Sequence, residues 1–128
     1  MKVHVVFRTC DCEISLHGAD RPFGLTKAAT IRACFGSLIR ALEGFDYSVH
    51  VVGDRLSDEI MNFFRNYGVG ITNEDLGNDE SIRRSLKRAY ERADDEWVYL
   101  CEDDYFHTPD AFHVIQDLLD NQDVVLRN

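Results

Sequence analysis

Apolar positions along this chain alternate between two periods. Residues 2–7, 48–53, 69–72 and 97–101 are short, nearly continuous apolar runs rich in Val and aromatic residues. Each predicts a strand buried on both faces. Residues 123–126, Asp-Val-Val-Leu, predict a fifth. Between the runs the period lengthens to that of a helix. From Thr26 onward, Ile31, Cys34, Phe35, Leu38, Ile39 and Leu42 fall on one face, and Gly44 closes the segment. A second helix, capped by Ser57 or Asp58, turns Ile60, Met61, Phe63, Phe64 and Tyr67 inward and stops at Gly68. A third, starting at Asp79 or Ser81, is expected to bury Ile82, Leu86, Ala89, Tyr90 and Ala93. Its other faces carry Arg83, Arg84, Lys87, Arg88 and Arg92 as a solvated basic surface. A fourth runs from about Pro109 to Leu119, with Thr108 or Asp110 available as its cap.

Strands alternating with helices predict an α/β fold: a three-layer domain with a mainly parallel sheet of about five strands and right-handed crossovers. The first strand is expected near the centre. At 128 residues the chain makes one domain, 1–128, with a single core. Residues 10–25, with Gly18, Pro22 and Gly24, form a long loop of the kind that is usually functional. A strand as the final element makes the chain either a minimal fold or the first half of a longer one.

Composition narrows the partners. With 14 Lys plus Arg against 23 Asp plus Glu, the net charge is −9, which argues against nucleic acid or an anionic membrane as the main partner. A nucleotide stays open, because a metal can carry its phosphates. No apolar run approaches the roughly 20 residues of a membrane span, and Met1–Phe7 leads directly into Arg8 as a strand. Cys34 and Cys101 fall on apolar faces as reduced core residues, consistent with a cytoplasmic chain. Cys10-Asp11-Cys12 lacks the second half of a soft-metal site. There is no glycine-rich phosphate loop, so ATPase and dehydrogenase readings lack support.

The chemistry concentrates after the fourth strand. Trp97–Cys101 runs straight into Glu102, Asp103 and Asp104. Three adjacent anions repel one another, and a hard cation, Mn²⁺ or Mg²⁺, carried in with a phosphate would relieve that repulsion. In open α/β sheets the carboxyl ends of the strands are where ligands bind. Arg8 and Thr9 end the first strand and Asp54 ends the second, so they are expected to share the crevice. The competing reading is a solvated acidic turn between a strand and a helix. His107, three residues past Asp104, could approach the metal or diphosphate; His4 and His50 are expected to pack within their strands.

Glu102-Asp103-Asp104, four residues, then Pro109-Asp110-Ala111-Phe112 resembles the acidic (DXD) motif of the GT-A glycosyltransferases. Within them it is most similar to the N-acetylglucosaminyltransferases that initiate complex N-glycans, whose motif reads Glu-Asp-Asp, four residues, Pro-Asp-Phe-Phe. Val51–Asp58 and Thr30–Cys34 resemble that group's second strand and first helix. The resemblance implies a Rossmann-like nucleotide-binding half that takes a nucleotide-diphosphate sugar, UDP- or GDP-linked. It implies Asp104 as the ligand of Mn²⁺ or Mg²⁺, with Glu102 and Asp103 facing the donor sugar and ribose. Asp54 would accept from the base beside Arg8 and Thr9, and Arg84 would lie near the donor. No catalytic base is implied within these residues. The acceptor site would lie in a missing second half, or the chain would work as a homo-oligomer. Two other functions are kept open: a non-catalytic nucleotide-sugar or metal-binding module, and a metal-dependent phosphoryl-transfer domain.

Overall fold

The structure, a computed structural model, describes residues 1–11, 24–92 and 94–121. Elements alternate as expected: β1 (Lys2–Cys10), α1 (Lys27–Ala41), β2 (Asp46–Asp54), α2 (Asp58–Asn66), β3 (Gly70–Glu74), α3 (Gly77–Tyr90), β4 (Trp97–Glu102) and α4 (Ala111–Asp120). The strands form one parallel sheet in the order β3-β2-β1-β4, which leaves β1 interior. The described residues thus give four strands, not five; the expected fifth, Asp123–Leu126, lies outside them. So do Ala93 and residues 12–23, most of the long loop, with Cys12 and His17.

Local chemistry sets the helix starts on one side of the sheet. The Thr26 hydroxyl accepts from the Ala29 N–H at 3.1 Å and caps α1, and Ser57 caps α2 through the Ile60 N–H at 3.3 Å. Gly68 follows α2 with φ of 69°, a left-handed turn that suits glycine. Alternation along β1 points Val3, Val5 and Phe7 to the face that α1, α2 and α4 cover. There Phe7, Phe35 and Phe64 are fully buried, with Phe35 edge-to-face on both others at 5.1 and 4.9 Å between ring centroids. Cys34 and Cys101 are buried free thiols there, and burial pushes the Cys101 thiol up to about 12.

The second face is built differently. α3 lies over β1 and β2 there, and the side chains it buries are Ser81 and Ser85. The expected apolar face does not form: Ile82 is 37% exposed, Leu86 52% and Tyr90 92%. Hydroxyls win because Ser81 meets Arg8 and Ser85 bonds back to the Ser81 carbonyl, so the helix sits close on small polar groups. His4 and His50 are buried beneath it, as expected. His4 Nδ1 lies 2.6 Å from the Ser48 hydroxyl, and its Nε2 is buried with no partner among the described residues.

Candidate functional site

The carboxyl ends of three neighbouring strands bring the predicted residues together. Arg8 pairs with Glu102 across β1–β4, Thr9 pairs with Gly53, and Cys10 pairs with Asp54 across β1–β2. Asp54 and Glu102 are therefore two strand spacings apart, roughly 10 Å sideways.

The three consecutive carboxylates meet three different environments. Glu102 forms an ion pair with Arg8, whose other guanidinium nitrogen donates to Asn78 Oδ1 at 3.0 Å and Ser81 Oγ at 3.1 Å. Arg8 thereby ties β4 to the first turn of α3. Asp103 is buried, and its Oδ2 accepts from the Thr9 hydroxyl at 2.8 Å, the Cys10 N–H at 3.2 Å and Lys27 Nζ at 2.8 Å. Lys27 opens α1, so Asp103 joins three elements. Asp104 is exposed and makes no hydrogen bond or ion pair among the described residues. The repulsion that a cation was expected to relieve is thus met, for two of the three anions, by Arg8 and Lys27. Neither side chain is adjacent in sequence to the acidic run, which hides their role from a linear reading.

Asp54 has a partner that the sequence did not suggest. Its carboxylate is buried and takes the Leu76 N–H at 2.9 Å and the Gly77 N–H, the first backbone donors of α3. Arg55 adds Nε at 3.1 Å and Nη2 at 3.3 Å. Four donors fill the roughly four lone-pair sites of a carboxylate. Burial alone would push this carboxyl up; the Arg55 hydrogen bond and the two backbone N–H groups outweigh it and hold the group below its ordinary range. Asp54 is therefore the cap of α3, which has no side-chain cap of its own; neither Asp79 nor Ser81 starts the helix. Arg55 holds φ of 53°, an uncommon conformation for a residue with a side chain, and its N–H donates to the Glu74 carbonyl.

Two other expected residues stand elsewhere. Arg84 pairs with Glu80 and Glu74 on the β3 flank of α3, away from the β4 carboxylates. His107 does not reach toward Asp104. It is buried between Tyr99 and Phe112, with Nε2 2.8 Å from the Tyr99 hydroxyl and its backbone N–H donating to the Ser37 hydroxyl at 2.9 Å. Its aromatic surroundings explain the correction: Phe112 and Tyr99 offer a stacking site, and burial lowers the imidazole's pKa.

Among the described residues no group of three or more His, Cys, Asp or Glu is placed to hold a metal ion. Asp104, without a partner among the described residues, offers an oxygen donor of the kind Mg²⁺ takes beside its waters and a substrate phosphate. Between α3 and β4 runs a mainly apolar groove of about 210 Å³, lined by Val6, Ile82, Leu86, Leu100 and Tyr105 and reaching Arg8, Ser85 and Glu102. Sequence periodicity missed it by assigning Ile82 and Leu86 to the core.

Neither a protein-family model nor a curated protein sequence matches the chain. A crystal structure from Desulfovibrio desulfuricans G20, provisionally named a nucleotide-diphospho-sugar transferase, is similar in fold, with a TM-score of 0.56 at 15% identity. The match covers 93% of this chain and 53% of that one, so this chain spans about half the length of its structural neighbour. The fold is α/β and Rossmann-like, as in that transferase. No described helix is long and apolar enough to cross a membrane.

Proposed function

From that fold and crevice we propose that the chain is the donor-binding part of a glycosyltransferase that uses a nucleotide-diphosphate sugar. The observation that carries the reading is the state of the acidic run. Glu102 and Asp103 are neutralised and fixed by Arg8 and Lys27, and Asp104, at the carboxyl end of the sheet, has no hydrogen-bond or ion-pair partner among the described residues. A carboxylate held out in this way is a suitable anchor for Mn²⁺ or Mg²⁺ together with diphosphate oxygens. The cation would neutralise the leaving diphosphate. Asp103 still has Oδ1 to offer a ribose hydroxyl, and Thr9 and Lys27 hold it in place for that task. Arg8 keeps Glu102 oriented toward the donor sugar. Asp54 acts by fixing α3, and a base would have to share its carboxylate with Leu76, Gly77 and Arg55. Arg84 would reach the donor only on leaving Glu74 and Glu80.

Within this class, the Glu102-Asp103-Asp104 and Pro109-Asp110-Ala111-Phe112 pattern favours the N-acetylglucosaminyltransferases that initiate complex N-glycans. An acceptor site and a catalytic base would come from a further half, whether on another segment or another subunit. The phosphoryl-transfer alternative needs a second free carboxylate beside Asp104, and Asp54 is committed to α3.

Calorimetric titration of UDP and GDP, with and without Mn²⁺, tests the reading. Metal and nucleotide should bind with positive, reciprocal coupling of about 1–3 kcal/mol. Asp104→Asn should abolish that coupling while leaving the thermal midpoint unchanged or slightly raised. Metal-independent binding, or no binding of any nucleotide diphosphate, would return the acidic run to a solvated turn.

A further inference from the structure

Three polar side chains pack into the apolar face that α1 and α4 cover: Ser37 on α1, Tyr99 on β4, and His107 between β4 and α4. The Ser37 hydroxyl donates to the Cys34 carbonyl at 2.7 Å and accepts from the backbone N–H of His107 at 2.9 Å. Through Nε2 the His107 ring lies 2.8 Å from the Tyr99 hydroxyl, and it stacks on Phe112 at an interplanar angle of 14°. Nδ1 of the same ring is buried with no partner among the described residues. A buried polar atom left unbonded carries a cost that an apolar side chain here would avoid. Packing alone therefore gives no reason for an imidazole at this position; the segment it holds does.

That segment is the acidic turn. Asp103 is buried at its near end, where Thr9, Cys10 and Lys27 hold it, and His107 is buried at its far end. Asp104, Tyr105 and Phe106, between them, are exposed. Both ends are fastened to α1, one at Lys27 and the other at Ser37. The far end is also tied to β4 through Tyr99 and to α4 through Phe112. Asp104 makes no bond of its own among the described residues, so these two anchors set its position. A span of three residues between fixed points samples far fewer conformations than a free loop. A ligand held in place beforehand avoids that ordering cost when the cation arrives.

We infer that Ser37, Tyr99 and His107 are positioning residues for the donor site. They act through the backbone, fixing the far end of the acidic turn so that Asp104 meets Mn²⁺ or Mg²⁺ already in place. This role rests on the donor-site reading and adds to it three side chains that need touch neither cation nor nucleotide.

Three single variants of the isotope-labelled chain test it. Ser37→Ala removes the acceptor of the His107 N–H, and His107→Phe keeps a ring against Phe112 but loses the bond to Tyr99. Tyr99→Phe removes only the hydroxyl, and it decides the question where a larger change prevents folding. In the wild-type chain the amide order parameters of residues 104–106 should match those of β1, about 0.85; in the variants they should fall below about 0.6 while β1 is unchanged. By calorimetry with UDP or GDP, the factor by which Mn²⁺ tightens the nucleotide should drop at least fivefold in each variant, with affinity for nucleotide alone retained. His107→Gln, whose amide can reach the Tyr99 hydroxyl, should restore both readouts. Combining Tyr99→Phe with His107→Phe should lower the factor no further than either alone, because both break one bond. A turn already loose in the wild-type chain, or coupling that survives in the variants, would overturn the positioning role and leave the donor-site reading standing. Absence of coupling in the wild-type chain would overturn both.

Discussion

Replacing Asp54 with Ala isolates the contact that joins the end of β2 to the start of α3. The carboxylate accepts from the Leu76 and Gly77 N–H groups and from Arg55, and its side chain is 4% exposed. Truncation leaves two helix-terminal donors without their partner, at about 1 kcal/mol each because both lie at a half-buried turn that water can partly reach. Loss of the negative charge at the helix N-terminus adds up to about 1 kcal/mol. The sum is about 2 to 3 kcal/mol. With a urea slope of about 2 kcal/mol/M, the unfolding midpoint followed by circular dichroism should fall by about 1 to 1.5 M. Asp54→Asn keeps an acceptor oxygen and should cost about half as much. The same contact has a pH signature. The folded pKa lies below the unfolded value of about 3.9, so the stabilisation is present above that value and is lost as pH falls through the folded one. The asparagine variant should lack that part of the acid limb. An Asp54→Ala variant within about 0.5 kcal/mol of the native chain would refute the capping role.

Two further outcomes follow from the sheet. Burial, then Arg88 and His4, lower the His50 imidazole from 6.5 to about 4. The unfolded chain therefore takes up the proton first, and stability should fall as pH drops from 6.5 toward 4, by on the order of 2 kcal/mol; denaturation of His50→Gln across that window should lose this part of the slope. At Gly53 an added Cβ would lie 2.5 Å from Leu56 Cδ1 and 2.9 Å from the Thr72 carbonyl. Because the carbonyl belongs to β3 and cannot swing away, Gly53→Ala should destabilise by about 1–3 kcal/mol in urea unfolding.

Much of this molecule is set by local pattern. Apolar runs and helical periods placed the elements now seen as β1 to β4 and α1, α2 and α4, and Ser57 behaves as the cap its position before Asp58 suggests. Such features depend on neighbours within a few residues, so the chain order alone carries them. The acidic run and its place at a strand's carboxyl end were equally legible. Tertiary structure decided what the sequence left open. α3 was assigned a buried Ile82–Leu86 face because amphipathic helices usually bury their apolar stripe. Instead Arg8, drawn to Glu102 from 94 positions away, also holds Asn78 and Ser81, so α3 turns its hydroxyls inward and its apolar stripe toward the open groove. Asp54 was expected to accept from a base, and nothing near it in sequence shows that the N–H groups of residues 76 and 77 will also arrive there. Glu102, Asp103 and Asp104 look alike in the chain, and only the fold brings Arg8 to the first and Lys27 to the second, while the third has no partner among the described residues. A carboxylate's role is fixed by its donors, and here the donors that distinguish the three come from other elements of the fold.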